Sequence, residues 1–458
     1  MTESHSDPAS AEEEIARPPA FSDSALALRF VERHSGDLRY VAVWNRWLRW
    51  TGTHWRFDDT RLAFNLAWRV CREAAAECNK LKIAVAIASA KTVAAVERLA
   101  LADRRIAATI DQWDADPWLL NTPGGVVDLR TGGIRPHNPL EFMTKITAVG
   151  PRGECPLFLR FLDRITVGDT ELIAYLQRVF GYVLTGLARE HALFFCYGTG
   201  ANGKSVLLST VAGILGDYHR TAPIETFTVS NGDRHPTDLA MLRGARLVTA
   251  TETEEGRRWA ESRIKQLTGG DTISARFMRQ DFFEYRPQFK LIIAGNHKPS
   301  LRTVDEAIRR RFHLIPFTVT IPAEERDGEL TEKLKTEWPG ILAWMVEGCT
   351  KWQADGLRPP LAVVNATAAY LEAEDAITSW MEDRCERDPN AWEPTSALFA
   401  SWSAWANAAG EAVGRQRKLT ESLMSRGLTV KNTNKARGMR GLRIIPDESS
   451  NSHWETRG

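Results

Sequence analysis

Leu193-Phe194-Phe195-Cys196-Tyr197-Gly198-Thr199-Gly200-Ala201-Asn202-Gly203-Lys204-Ser205 is the stretch from which the fold can be read. Five apolar or aromatic residues of strand length run into a glycine-rich turn, and a helix to about Leu215 follows. Residues 198–205 fit G-x-x-x-x-G-K-[ST], and their place between a strand and a helix turns the pattern into a site. Glycines let the backbone curl so that its N–H groups face phosphate oxygens, and the helix N-terminus adds partial positive charge. In that geometry Lys204 reaches the β- and γ-phosphates and the Ser205 hydroxyl ligates magnesium. Gly198, Thr199, Gly200, Ala201, Asn202, Gly203, Lys204 and Ser205 are therefore the expected contacts to ATP and Mg2+. The bland alternative, a tight turn with a surface lysine, leaves both flanks unexplained.

Working outward, 246–250, 289–294 and 312–317 have the length and β-branched content of buried strands. Strands alternating with helices predict a three-layer α/β domain with a largely parallel sheet. Each strand brings a polar group. The first runs on to Glu252, which could polarise an attacking water, and its carboxylate or that of Glu254 could support the metal's water shell. The second ends at Asn296, whose amide can hold a γ-phosphate and a water in register. Arg309-Arg310-Arg311 precedes the third, and a guanidinium fork suits the charge on a transferring phosphoryl group. Taken singly, these are an acidic strand end, a turn former and a solvated helix face.

The rest of the chain is of ordinary globular composition. Its 458 residues suggest about three domains. A net charge of +1 excludes a uniformly basic nucleic-acid binder but not local basic surfaces. Cys71, Cys78, Cys155, Cys196, Cys349 and Cys385 form no CxxC pair, so free thiols in a reducing cytosol are expected. Residues 1–20 are acidic, small and polar, which predicts a disordered tail with no signal core. No apolar run is long enough to cross a bilayer, so no membrane association is expected. From 40 to 57 alternation predicts short antiparallel strands, 61–110 two or three helices, and 118–136 strands with tight turns. Asp114 and Asp116, beside Trp113 and Pro117, read as a turn.

The ordered set GTGANGKS (198–205), RLVTATETEEG (246–256), IKQLTGGDTISARFMRQDFFEY (264–285), FKLIIAGNHKP (289–299) and DEAIRRRFHLIPF (305–317) resembles the superfamily 3 helicases. The likeness is to the phage and plasmid primase–helicases related to the satellite-phage alpha protein and the poxvirus primase–helicase. It covers 156–317 and, more loosely, the Trp-rich N-terminal region and the C-terminal module. It implies a P-loop AAA+ type motor with Lys204 and Ser205 as the first nucleotide motif, Glu252 the second and Asn296 the sensor. One of Arg310 and Arg311 would be an arginine finger acting on ATP held by a neighbouring subunit. The resemblance further implies a homo-hexameric ring around single-stranded DNA, 3′ to 5′ movement, and work in phage or plasmid replication in the bacterial cytoplasm. Residues 265–279 match the family's DNA-contacting motif, which makes Lys265, Arg276 and Arg279 candidates for the ring channel. Two departures stand out: Thr253 separates Glu252 from Glu254, and fewer than about two hundred residues precede the loop, little for a primase as well. No primer synthesis is expected, and a separate primase or polymerase is a candidate partner.

Residues 395–445 read as helix, helix and a two-stranded end, similar to the winged-helix module of such replication proteins. Lys431, Lys435, Arg437 and Arg440 make its end basic and are the candidate contacts to duplex DNA, whereas Trp402 and Trp405 at helical spacing read as core. The expected organisation is thus a tail (1–20), an α+β accessory region (21–150), a helical lead-in (151–190), the motor (191–340), a helical extension (341–387), a winged-helix-like module (388–446) and a tail (447–458). Two rivals remain at this stage. A small-molecule kinase leaves Asn296 and the arginine run unexplained, and a nucleotide-gated origin-binding ring would lack processive unwinding.

Overall fold

The computed structural model describes residues 18–229, 237–252, 257–278, 281–301, 304–411, 413–432 and 437–446. Most of the expected tail at 1–20, and all of that at 447–458, lies outside them. The chain divides into two compact units, 1–128 with 133–150, and 129–132 with 151–458. Among the described residues no helix is long and apolar enough to cross a membrane.

The first unit begins with α1 (Asp23–His34), which is started by Ser22, whose hydroxyl accepts the Ala25 N–H at 3.2 Å. Leu26, Phe30 and Val31 give α1 its buried face. An antiparallel meander follows, β1 (Leu38–Val41), β2 (Arg46–Trp50) and β3 (Trp55–Phe57). Then come three helices, α2 (Leu62–Glu77), α3 (Leu81–Ile87) and α4 (Ala90–Ala100), and a second meander, β4 (Leu119–Thr122), β5 (Gly125–Asp128) and β6 (Gly133–Arg135). Phe30, Val70, Val93 and Val96 share one core, and Val41, Leu48, Trp55 and Trp113 another. The structure departs from the sequence reading at 42–44. This stretch is a 3-10 turn rather than strand, because Asn45 turns the chain with φ 50° and Val43 is 77% exposed. Asp114 does sit in a turn, where it accepts the Thr144 N–H at 2.8 Å.

The second unit opens with α5 (Pro156–Thr166) and α6 (Thr170–Val183), then β7 (Leu193–Tyr197) and α7 (Lys204–Leu215). Next come β8 (His219–Thr221), α8 (Thr237–Ala240), β9 (Leu247–Glu252), α9 (Glu261–Gly269), the hairpin β10 (Ile273–Ala275) and β11 (Phe283–Tyr285), β12 (Lys290–Gly295), α10 (Glu306–Arg309) and β13 (Phe312–Pro316). Five of these strands form one parallel sheet in the order β13-β7-β12-β9-β8. Side chains alternate across it. Leu193 and Phe195 join a core with Ile264 and Leu267 of α9, while the Phe194 ring lies 5.3 Å from that of His313, whose Nδ1 lies 2.8 Å from the Tyr175 hydroxyl of α6. Both faces are therefore covered by helices, which is why the central strands β7 and β12 read as nearly unbroken apolar runs.

Beyond the sheet lie α11 (Leu330–Lys335), α12 (Trp338–Asp355) and α13 (Leu361–Ala373). Helices α6 and α12 meet backbone to backbone. A Cβ on Gly181 would stand 2.1 Å from the Cys349 nitrogen, and one on Gly348 2.1 Å from the Gln177 oxygen. Two buried cations close the end of α6: Arg246 donates to the Leu184 oxygen at 2.5 Å and Lys290 to the Thr185 hydroxyl at 3.3 Å. The last carbonyls of a helix attract positive charge, although burial pushes the Lys290 ammonium well below its usual pKa.

The C-terminal part comprises α14 (Ala376–Arg384), β14 (Cys385–Glu386), β15 (Trp392–Pro394), α15 (Thr395–Ala408), α16 (Gln416–Ser425), β16 (Thr429–Asn432), β17 (Arg437–Arg440) and β18 (Arg443–Ile444). The sequence predicts two strands here; the structure has a three-stranded sheet, β15-β17-β16, and a separate pairing of β14 with β18. The extra strand is held by Trp392, whose Nε1 donates to the Lys431 oxygen at 2.8 Å and whose ring lies against Gly438, where a Cβ would come within 2.3 Å of it. Trp380, Met381 and Cys385 share a core with Leu398, Trp402 and Leu423.

Candidate functional site at the carboxyl edge of the parallel sheet

Register fixes what meets at the end of the sheet. Tyr197 is opposite Gly295 on one side and Pro316 on the other, and Gly295 is opposite Glu252. The loop after Tyr197, Asn296 after Gly295, and Glu252 thus lie along one edge, the carboxyl end where open α/β sheets hold ligands.

The loop is shaped by left-handed positions. Gly200 has φ +97° and Gly203 +80°, with Ala201 at 48° between them. Gly203 also has no room for a side chain, since a Cβ would meet Ile165 Cγ2 at 2.6 Å. Residues 317–321 brace the loop from outside. The Asn202 side chain, almost fully buried, donates to the Phe317 oxygen at 3.1 Å, and Ile321 N–H donates to the Ala201 oxygen at 2.8 Å. Asn202 therefore serves the loop through its amide side chain. The Thr199 and Thr320 hydroxyls stand 3.4 Å apart.

Lys204 begins α7 with only 6% of its surface exposed. Its ammonium donates to the Gly198 oxygen at 2.9 Å and to Asn296 Oδ1 at 3.3 Å. Burial lowers its pKa from the usual lysine value. Among the described residues its partners are two neutral amide oxygens, and a buried cation so held suits a site for an anion. Ser205 is exposed in the first turn of α7, where a hydroxyl can face a metal ion beside the loop. Glu252 ends β9 at the same edge; its side chain, Thr253 and Glu254 lie outside the described residues.

The arginine run is elsewhere. Arg311 precedes β13, and its oxygen accepts the Leu193 N–H at 2.7 Å, so it sits at the amino end of β7. The five residues of β7 at about 3.3 Å each put roughly 16 Å between that end and the loop. Arg311 is 7% exposed and is tied to the Ala307 oxygen at 2.7 Å and the Thr268 hydroxyl at 3.2 Å. Arg310 is exposed, and Arg309 stands 3.8 Å from Asp375.

The expected DNA contacts scatter. Lys265 is paired with Asp305 at 2.5 Å, both side chains being partly exposed. Arg276 lies at the hairpin tip with its guanidinium 4.7 Å from the Phe282 ring, beside exposed Phe277 and Met278. Lys431, Arg437 and Arg440 are exposed on the C-terminal sheet, and the Arg440 Nε donates to the Pro389 oxygen at 2.9 Å. Arg279 and Lys435 lie outside the described residues.

The structure also brings in residues that sequence reasoning passes over. Lys298 holds its ammonium 4.9 Å from the ring of Tyr197, and Tyr370 of α13 donates its hydroxyl proton to the Pro299 oxygen. Lys298 lies in the 289–299 stretch with no role read for it there, and no local pattern marks Tyr370.

Comparison with known proteins gives matches over both units of the chain. Residues 27–167 match the family described as "D5 N terminal like", and 196–311 match a family of unknown function, DUF5906. The second match spans the loop, Glu252, Asn296 and the arginine run. A "Putative helicase" of Acanthamoeba polyphaga mimivirus is 25% identical over 319 residues, covering 64% of this chain and 33% of its own length. A "Putative helicase" of Frog virus 3 is 26% identical over 242 residues, covering 48% of this chain and 25% of its own. The chain thus spans a third or less of the length of these relatives. In fold, it is similar to the apo structure of the NrS-1 C-terminal region, with a TM-score of 0.51 and 11% identity over 92% of this chain and 100% of that one.

Proposed function

We propose that this chain is an ATP-hydrolysing motor that works on DNA, a helicase of the superfamily 3 type. The observation that carries the reading is the meeting of Lys204 and Asn296 beneath a left-handed glycine loop at the carboxyl edge of a parallel sheet. Similarity to two viral proteins named as helicases supports the choice of a DNA motor over a small-molecule kinase.

In this reading the backbone N–H groups of 198–203 and the start of α7 cradle the phosphates of ATP. Lys204 leaves the Gly198 oxygen and neutralises the β- and γ-phosphates, and Asn296 keeps the γ-phosphate and a water in line. The Ser205 hydroxyl, exposed beside the loop, would hold magnesium directly, and Glu252 would support it through water. The ion would offset negative charge on the phosphates. Glu252 orients and polarises the attacking water.

No arginine of the 309–311 run reaches this edge within its own chain, given the roughly 16 Å separation. The finger therefore acts across a subunit interface in a ring, and Arg310, exposed and unencumbered by the bonds that hold Arg311, is the better candidate. The hairpin tip around Arg276 and the cations Lys431, Arg437 and Arg440 on the winged-helix-like C-terminal sheet are the proposed contacts to single-stranded and duplex DNA.

The test is an ATPase and strand-displacement assay on forked DNA. Hydrolysis stimulated by single strands, with ATP-dependent displacement, is the expected result. Stimulated hydrolysis without displacement would favour a nucleotide-gated ring, and no hydrolysis with or without DNA would overturn the assignment.

A further inference from the structure

Helix α13 reaches the chain that follows Asn296 at two points. Tyr370 is 3% exposed, and its hydroxyl accepts the Trp259 Nε1–H at 3.0 Å while donating to the Pro299 oxygen. One residue past the helix, the Glu374 carboxylate accepts the Leu301 N–H at 2.8 Å. Between these pins, Ser300 pairs with the segment that follows β9. Its N–H donates to the Arg257 oxygen at 2.9 Å, and its oxygen accepts the Trp259 N–H at 2.9 Å. The helix itself is fixed to the edge of the sheet, where the Thr367 hydroxyl accepts the Leu314 N–H at 3.0 Å.

Asn296 has no regular structure of its own; it follows the last residue of β12. Its amide is placed from one side by the sheet, through Gly295, and from the other by wherever Pro299 is held. Three residues of chain leave a freely ending segment ample room to swing, whereas a segment pinned at both ends has little. Lys298, inside this short span, lies over both Tyr197 and Tyr370, at 4.9 and 5.6 Å from the ring centres.

From this geometry we infer that Tyr370 is a positioning residue for Asn296, with Glu374 as the second pin, so that α13 sets the place of the amide that Lys204 meets. The inference rests on the ATPase reading of that site. It assigns to a helix outside the sheet a part in the hydrolysis step that touches neither nucleotide nor metal.

The experiment compares Tyr370→Phe, Glu374→Gln, Glu374→Ala and Asn296→Ala in the full chain. It measures kcat, nucleotide affinity by a fluorescent ATP analogue, and the thermal midpoint. Tyr370→Phe should lower kcat about tenfold while leaving affinity within about twofold, because lost orientation acts on the reacting geometry and not on the loop. Glu374→Ala should do the same, and Glu374→Gln, which keeps an acceptor oxygen, should recover most of the loss. Adding Tyr370→Phe to Asn296→Ala should cost nothing further, since both act through one amide. A wild-type ATPase in Asn296→Ala would refute the reading of the site itself. If Asn296→Ala is inactive while Tyr370→Phe and Glu374→Ala keep wild-type kcat, the site stands and the positioning role falls. Multiplicative loss in the double variant, or equal falls in kcat and affinity, would also overturn it. Should Tyr370→Phe fail to fold, the Glu374 pair decides.

Discussion

At the scale of single residues, the site separates groups that look interchangeable in the sequence. Lys204 holds its ammonium on the Gly198 oxygen of the loop, and Lys204→Ala should reduce ATP hydrolysis at least about a hundredfold. Glu252→Gln should bind the fluorescent analogue normally and still fail to turn over, because the amide keeps the shape without the carboxylate. A parallel loss of affinity would make Glu252 structural. Arg310 and Arg311 should part in the opposite way. Arg311→Ala removes bonds from a nearly buried guanidinium and should destabilise the fold by about 2 kcal/mol, read as a lower urea midpoint. Arg310→Ala should leave that midpoint within error and lower ATPase at least about a hundredfold. The reverse pattern would assign the finger to Arg311.

At the scale of elements, the C-terminal sheet makes a prediction about duplex DNA. A cut after Asp388 would be a poor probe, because β14 pairs with β18 and Trp380 shares a core with Leu398 and Leu423. Charge reversal is cleaner. Lys431 and Arg440 are exposed on the adjacent strands β16 and β17, and two residues apart in register they can follow one phosphate backbone. Lys431→Glu with Arg440→Glu should weaken duplex binding and flatten its salt dependence by about two in log–log slope, since each phosphate contact contributes close to one. ATPase stimulated by single strands should persist. An unchanged salt slope would return these charges to solvent.

At the scale of the whole molecule, the separation of loop and arginine run predicts that the proposed hydrolysis depends on assembly. Lys204→Ala protein and Arg310→Ala protein should each be inactive. Mixed during assembly, they create some interfaces with an intact loop facing an intact arginine, and partial ATPase should return. If native mass spectrometry shows mixed rings and no activity returns, the finger does not act in trans. The sequence by itself determined the local unit 193–215. A short apolar strand, a glycine loop that needs left-handed backbone at Gly200 and Gly203, and a helix starting at Lys204 are all encoded within a few residues. It also set the order of the later strands and their polar ends, because each is a contiguous run. Tertiary structure alone decided that Lys204 meets Asn296 across 92 residues of sequence, since the neighbour of β7 is chosen by how the sheet packs and not by chain order. It alone tied Arg311 inward while leaving Arg310 exposed, paired Lys265 with Asp305, and brought Tyr370 to Pro299. These are pairings between distant segments, and a side chain's partner is set by which surfaces bury together, for which a single strand of sequence carries no local mark.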